Sequence, residues 1–429
     1  IIIKKQTEGM KPELVREYTA LIKRIMEVSR KYQYGRTLEL RQCFPFEYSK
    51  MPAVILKPAM VKEELYICED FSKDKVITVS SYEEIGNVLT RLFEENGEEK
   101  KAEHISCFHD LKELPTQAEK RVMTTGGHYA FLKIAEGCDK RCTYCIIPYL
   151  RGPYRSVPME QLLAEARELA DNGVRELILV AQETTLYGKD LYGEKSLPKL
   201  LHELAQIPGI YWIRIQYCYP EEITDELIEA IRTEEKVCHY LDVPIQHASD
   251  RILKRMGRRT NQAQLREIIG KLRAAVPDIA LRTTMIAGFP GETQEDHEEL
   301  MEFVDEMEFD RLGVFTYSPE EGTPAETMEG QVPEEVKEER RDELMSLQQE
   351  ISLEKGDERI GQELVVMIEG KVSGESAYIA RTYADAPKVD GYIFVQTGEL
   401  LVTGDFARVR VTGALEYDLI GELADEYTE

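Results

Sequence analysis

The sequence predicts an α/β protein: an open β/α barrel flanked by an amino-terminal α/β domain and a carboxy-terminal small β-barrel. Three observations predict it. Between Tyr129 and Glu326, short apolar runs alternate with amphipathic helical stretches six times in succession, a pattern that calls for parallel strands joined by right-handed crossovers. After Gly361 the pattern changes to short β-rich runs separated by Gly and Asp turns, as a small barrel requires. The chain has 429 residues, enough for two to four domains at roughly 100–200 residues each. The expected boundaries are 1–116, 126–355 and 356–429.

Residues 1–116 mix helical patterns at Glu13–Tyr32 and Tyr82–Glu95 with short apolar runs such as Ala53–Leu56, which reads as a small α/β unit. A polar stretch, Gln117–Thr125, then ends at Gly126 and Gly127. The strands expected beyond it are Leu132–Ala135, Glu176–Ala181, Trp212–Gln216, Tyr240–Pro244, Ala280–Ile286 and Arg311–Thr316. Between them the 3.6-residue period predicts helices at Met159–Asn172, Ser196–Gln206, Thr224–Thr233, Ser249–Met256, Asn261–Ala275 and Thr293–Met307. Pro333–Lys355 reads as a charged connecting helix with Leu344, Leu347 and Ile351 on one face. The terminal module contributes Glu363–Ile368, Tyr392–Val395 and Phe406–Thr412 as strands.

Composition narrows the partners. The net charge is −26, from 54 basic against 80 acidic residues, and such a surface repels phosphate backbones as a whole. A basic partner suits it better than nucleic acid. No run approaches the ~20 apolar residues of a membrane span, and Ile1–Lys5 is too short for the apolar region of a signal peptide, so a cytoplasmic protein is expected. Eight cysteines, three of them crowded into one loop, favour a metal site over a disulfide framework.

That loop reads Gly137-Cys-Asp-Lys-Arg-Cys-Thr-Tyr-Cys145. Cys138, Cys142 and Cys145 can hold three irons of a 4Fe-4S cluster and leave the fourth iron open to a ligand. Zinc would need a fourth protein ligand, which the loop lacks, and His128 stands before the strand. Three unrelated buried thiols are the remaining alternative. Cys218 and Cys238 have no ligand spacing and are expected to pack in the core.

Polar residues and glycines follow several strands, where ligands of such folds bind. Gln182 and Glu183 follow the second strand; Gln246 and His247 follow the fourth. Each glutamine is either a cofactor contact or a backbone cap, and His247 is expected to be structural. Gly288, Gly291 and Glu292 follow the fifth strand, where glycine admits a close backbone approach or makes an ordinary turn. Arg151 and Arg155 after the cysteine loop could pair with a carboxylate or lie on the surface.

The C-x3-C-x2-C spacing, with Tyr144 before the last cysteine, resembles the signature of the radical S-adenosylmethionine superfamily, and Thr284-Met-Ile-Ala-Gly-Phe-Pro-Gly-Glu292 is similar to its glycine motif. Lys133-Ile-Ala-Glu-Gly-Cys-Asp-Lys-Arg-Cys-Thr-Tyr-Cys-Ile-Ile-Pro148, Ala181-Gln-Glu-Thr-Thr-Leu-Tyr-Gly188, Asp310-Arg-Leu-Gly-Val-Phe-Thr-Tyr-Ser318, Gly322-Thr-Pro324 and Arg381-Thr-Tyr-Ala-Asp-Ala-Pro-Lys-Val-Asp-Gly391 resemble the methylthiotransferase family in its ribosomal-protein branch. The resemblance implies a partial TIM-like barrel and a terminal TRAM domain, OB-like in form. It implies a methylthio group placed on the β-carbon of an aspartate in the twelfth small-subunit ribosomal protein. One S-adenosylmethionine would supply the methyl group and another a 5′-deoxyadenosyl radical, with an external electron donor.

On this resemblance Tyr144, Gln182, Glu183, Gln246, Gly288, Gly291 and Glu292 are candidate cofactor contacts, and Arg151, Arg155 and Asp385 candidate substrate contacts. In tRNA-modifying relatives the TRAM domain grips RNA. Here Gly356–Glu429 holds six Lys and Arg against fifteen Asp and Glu, which argues against a direct nucleic-acid grip. The competing readings are a tRNA adenosine methylthiotransferase and a non-catalytic metal-binding adaptor.

The family also carries three amino-terminal cysteines for a second 4Fe-4S cluster. Cys43, Cys68 and Cys107 do not stand in those contexts, so one cluster is assigned and the second has no identifiable ligands. Family likeness resumes near Ser80-Ser-Tyr-Glu-Glu-Ile85, and the residues before it are expected to be truncated or read in a shifted frame.

Overall fold

The computed structural model describes residues 54–57, 75–78, 106–107, 114 and 126–428. The helices expected at Glu13–Tyr32 and Tyr82–Glu95, and Cys43 and Cys68, lie outside the described residues. The chain separates into two compact units, Ile1–Val122 with Ile147–Pro153, and Met123–Ile146 with Tyr154–Glu429. The first contains a parallel three-stranded sheet, β1 (Val54–Lys57), β2 (Lys75–Thr78) and β3 (Ser106–Cys107), in that order, and the short helix α1 (Ile147–Arg151).

The second unit begins with β4 (Tyr129–Lys133) and β5 (Ala135–Glu136), which lead into the cysteine loop; β5 pairs with β6 (Arg155–Ser156) beyond it. Then β7 (Glu176–Val180), β8 (Trp212–Ile215), β9 (Val237–Asp242), β10 (Ala280–Ala287) and β11 (Arg311–Thr316) join β4 in a parallel six-stranded sheet, ordered β11-β10-β9-β8-β7-β4. The outer strands β4 and β11 are not joined, so the barrel is open. Strands with both faces covered read as continuous apolar runs; β7, Glu-Leu-Ile-Leu-Val, is one.

Helices α2 (Met159–Asp171), α3 (Lys189–Tyr192), α4 (Leu197–Ala205), α5 (Asp225–Thr233), α6 (Asp250–Arg255), α7 (Gln262–Ala275) and α8 (Gln294–Met307) fill the crossovers. In α2 the buried residues Met159, Leu162, Ala166 and Leu169 fall on one helical face, which fixes the side turned to the sheet. Thr224 accepts a hydrogen bond from the Leu227 amide, and Asn261 and Thr293 form reciprocal capping boxes with Gln264 and Asp296. These caps set where three of the helices begin.

Helix α9 (Glu334–Asp357) runs on from the barrel into the terminal module. Its buried stripe includes Lys337, Arg340, Leu344, Gln348 and Ile351, more polar than the leucine face expected. Lys337 donates to the Tyr317 carbonyl at 2.9 Å and Gln348 to that of Phe309 at 2.8 Å. Leu347, assigned from sequence to the buried face, is only half-buried because these polar side chains occupy the contact.

The terminal module is a closed five-stranded barrel, ordered β12-β13-β14-β16-β15, of β12 (Glu363–Lys371), β13 (Ala377–Thr382), β14 (Ile393–Gln396), β15 (Phe406–Ala414) and β16 (Leu419–Thr428). It covers the amino-terminal end of the large sheet. Glu176, the first residue of β7, is wholly buried between two guanidinium groups: Arg214 Nε donates to it at 2.7 Å and Arg381 of β13 at 2.6 Å. Arg381 also donates to Glu369 at 2.6 Å and to the Asp385 carbonyl at 2.9 Å. Tyr240 donates to Asp390 at 2.8 Å, and His128 Nε2 stands 3.0 Å from the Glu369 carboxylate.

Burial opposes the charge of Glu176, and Arg381 with Arg214 more than offsets it, so its carboxyl is held below its ordinary range. Removing one member of a buried ion pair leaves the other uncompensated, at a cost of about 3–5 kcal/mol. Arg381→Ala is therefore expected to lower the thermal unfolding midpoint by several degrees and to expose the terminal barrel to limited proteolysis. An unchanged midpoint and cleavage pattern would remove this network from its structural role.

Candidate radical site

The loop carrying Cys138, Cys142 and Cys145 lies at the opposite, carboxyl end of the sheet, and three neighbouring elements fix its backbone. Gly137 N–H donates to Gln182 Oε1, just past β7, at 2.8 Å. Thr143 donates through its amide to the Met256 carbonyl and through its hydroxyl to that of Arg255, both at 2.9 Å, at the end of α6. The Thr143 carbonyl accepts from Ala325 N–H at 2.9 Å. Gly257 has φ +73°, and a Cβ there would lie about 3.5 Å from Thr143, so the loop rests closely on this turn.

Cys138 and Cys142 are buried and Cys145 is half-buried; none of the three is in a disulfide. Burial pushes the Cys138 thiol up to about 11, with the Glu183 and Cys142 charges adding to it; a bound cation would reverse that balance by favouring thiolate. Among the described residues no three His, Cys, Asp or Glu side chains converge on a point that one metal ion could hold. Three thiolates on one loop that offers no fourth protein ligand match the needs of an iron-sulfur cluster better than those of a closed tetrahedral zinc site. His128, which stands before β4, is turned to Glu369.

Lys140, inside the same loop, is buried and makes ion pairs with Glu222, with Glu221 at 3.2 Å and with Glu183 at 3.9 Å. Glu221 and Glu222 follow β8 in the turn Pro220–Glu222. Sequence reasoning had passed over this strand end while marking those of β7, β9 and β10. Tyr219-Pro-Glu-Glu222 was open to the same rule, because polar residues after a parallel strand are where ligands bind.

Glu183 is fully buried, accepts from the Thr185 amide at 2.9 Å and from its hydroxyl, and leaves Oε2 without a hydrogen bond. Burial raises its carboxyl to about 7 despite Thr185 and Lys140. Gln182 is spent as the backbone cap just described. Gln246 takes a left-handed backbone, φ 74°, and sits opposite Met285 of β10: its N–H donates to the Thr284 carbonyl at 2.9 Å and its carbonyl accepts from the Ile286 N–H at 2.8 Å. A non-glycine residue in that region is strained, and here the two backbone bonds hold it. His247 accepts the Ala248 and Ser249 amides at 3.0 Å through Nδ1, a structural role.

Glu292 holds the glycine turn together: its carboxylate accepts the Gly288 and Phe289 amides at 2.8 and 3.0 Å and the Arg340 guanidinium at 2.9 Å. Its carboxyl is held below the ordinary range, burial notwithstanding, by His247, the Phe289 amide and Arg340. Gly288 and Gly291 both have positive φ; a Cβ at Gly288 would stand 2.3 Å from Lys337 Cγ, and one at Gly291 2.9 Å from Arg255 Cζ. The close approach that these glycines permit is to the chain's own side chains. Tyr144 packs edge-on to Phe289 at 6.3 Å between ring centroids, in a cluster with Ile252, Met256 and Tyr317.

The candidate substrate contacts belong to different elements. Arg151 ends α1 in the first unit, and Arg155 lies on β6 opposite Glu136. Asp385 is a correction: it is buried, ion-paired with Arg311 at 2.5 Å and bonded to Thr382, because it belongs to the seam between terminal barrel and sheet. Cys218 and Cys238 are buried packing residues, as expected.

The sequence profile of the radical SAM superfamily matches residues 132–304, and that of the TRAM domain residues 360–424. An open β/α barrel with a three-cysteine loop at the carboxyl ends of its strands is thus the core of a radical S-adenosylmethionine enzyme. The chain is 58% identical over 348 residues to the ribosomal protein uS12 methylthiotransferase RimO of Lachnoclostridium phytofermentans, covering 81% of this chain and 78% of that protein. The RimO of Acetivibrio thermocellus is 49% identical over 353 residues, 82% and 78% of the two chains. That of Pelotomaculum thermopropionicum is 54% identical over 303 residues, 70% and 68%. The chain belongs to the RimO family of ribosomal protein uS12 methylthiotransferases.

The raised carboxyl of Glu183 sets a pH expectation. A group whose folded value exceeds its unfolded 4.5 contributes stability in full below 4.5 and loses it as pH rises through about 7. Glu183→Gln should flatten this decline in the thermal midpoint of cluster-free protein between pH 4.5 and 7. Parallel profiles for the two proteins would refute a neutral Glu183.

Proposed function

We propose that this protein transfers a methylthio group to the β-carbon of an aspartate in ribosomal protein uS12, by radical cleavage of S-adenosylmethionine. The observation that carries the proposal is the cysteine loop, fixed by Gln182, Arg255 and Met256 at the carboxyl ends of the strands. Family membership supplies the substrate class.

When bound, a 4Fe-4S cluster supplies one electron and an open iron site for S-adenosylmethionine. Cys138, Cys142 and Cys145 provide its thiolates. Tyr144 and its apolar neighbours keep water from the sulfurs, which protects a reactive intermediate. We assign Glu183 and Gln246 to the cofactor's polar groups. Glu292 acts by holding the turn at Gly288 and Gly291, whose amides are bonded within the chain. Arg151 and Arg155 are assigned by charge to a substrate carboxylate. An acidic surface, −26 overall, suits a basic ribosomal protein better than an RNA backbone.

We assign one cluster, at Cys138, Cys142 and Cys145, reduced by an external one-electron donor in the cytoplasm. Among the described residues no helix is long and apolar enough to cross a membrane.

Anaerobic reconstitution should give about four irons per chain, where two clusters would give about eight. Cys142→Ala should reduce reductive cleavage of S-adenosylmethionine to background while leaving the circular dichroism spectrum unchanged, since the ligand sits on a loop. Retained cleavage would overturn the cluster assignment; methylthio transfer to tRNA but not to uS12 would overturn the substrate.

A further inference from the structure

The inference concerns Tyr219 and rests on the radical-enzyme reading above. Tyr219 follows β8, and its hydroxyl stands 3.6 Å from Cys142 Sγ. Two buried cations lie against its ring. Lys140 Nζ is 4.9 Å from the ring centroid and the Arg258 guanidinium 4.4 Å.

Each of these groups is fixed from elsewhere. Lys140 is held by Glu221 and Glu222. Arg258 donates to the Pro244 carbonyl at 2.8 Å, and Tyr219 N–H donates to Thr185 Oγ1 at 3.3 Å. Burying two cations is costly without compensation, and part of that compensation here is the face of one tyrosine. The ring is thereby set at the sulfur.

The direction of the O–H···S contact follows from chemistry. A free thiol and a phenol can each donate, but a cysteine bound to iron is a thiolate with no proton left to give. The donor must then be Tyr219.

Hydrogen bonds to ligand sulfur are one of the levers by which a protein sets an iron-sulfur potential. Reduction adds one electron and makes the sulfurs more negative, so a fixed donor stabilises the reduced state more than the oxidised one. We propose that Tyr219 is a positioning residue that donates its O–H to the Cys142 thiolate and raises the cluster's reduction potential, with Lys140 and Arg258 holding its ring. The electron comes from the external donor, and no proton leaves Tyr219 during the step.

The test uses the full chain, anaerobically reconstituted, with iron and sulfide counted first. Tyr219→Phe keeps the ring and its cations and removes only the donor. It should load as much iron as the wild type, while the ratio of reduced to oxidised cluster at the wild-type midpoint falls about tenfold, a shift of ~59 mV for one electron. The reduced wild-type cluster should also show a hyperfine coupling to a proton that exchanges in D2O, and the variant should lack it.

An unmoved midpoint with that coupling retained overturns the assignment. Should the phenylalanine variant fail to load, 3-fluorotyrosine in place of Tyr219 decides the matter: the more acidic phenol is a stronger donor, and the midpoint should rise. No rise overturns the proposal. A wild-type chain that binds no iron would defeat the enzyme reading itself, whereas a loaded variant at the wild-type midpoint defeats only the role given to Tyr219.

Discussion

Glu176 is a carboxylate with no access to water, and the rest of the molecule is arranged around keeping it charged. Arg214 comes from the neighbouring strand and Arg381 from the terminal barrel. A buried ion of this kind is tolerable only when paired and hydrogen-bonded, so the barrel must close on the sheet in one register. Arg311 with Asp385 and Tyr240 with Asp390 extend the same seam. With the amino end of the sheet covered in this way, the carboxyl end is left for chemistry.

The two ends solve related problems by different means. At the seam, charges cancel within the protein. At the cysteine loop the balance is incomplete: Glu183 leaves an oxygen without a hydrogen bond, and burial disfavours the thiolate of Cys138. Both groups favour neutral forms in the protein alone, and both would respond to an added positive centre. Perturbed groups beside a potential ligand set are what a functional site shows, whereas the seam, though richer in charge, pairs its carboxylates with guanidinium groups.

Much of this was legible in the sequence because two signals are local. Alternation of apolar runs with 3.6-residue periods located the six large strands and their helices, and the caps at Thr224, Asn261 and Thr293 placed helix starts. What escaped depends on partners far away in the chain. Strand β13 ends in Arg381-Thr382, which looks like a solvated turn until Glu176 supplies a buried counter-charge. Asp385 was misread for the same reason. Strand β16 carries Glu422 among its early residues, and its alternation is too weak to declare a strand without a barrel to close. The glycine turn had the expected backbone, but sequence could not show that Lys337, forty-nine positions beyond Gly288, fills the space its missing side chain leaves.

The pairing of Glu176 with Arg381 spans 205 residues, and it bears on how the chain is made. A ribosome delivers residues from the amino end at roughly 5–20 per second, so β7 emerges about ten seconds or more, and β8 about eight or more, before their missing cation does. Through that interval Glu176 has Arg214 alone, and the sheet edge that the terminal barrel will cover stays open to water. The large sheet can therefore collapse early but cannot reach its final form until the last domain is synthesised. Completion of this protein is timed by its carboxy-terminal module.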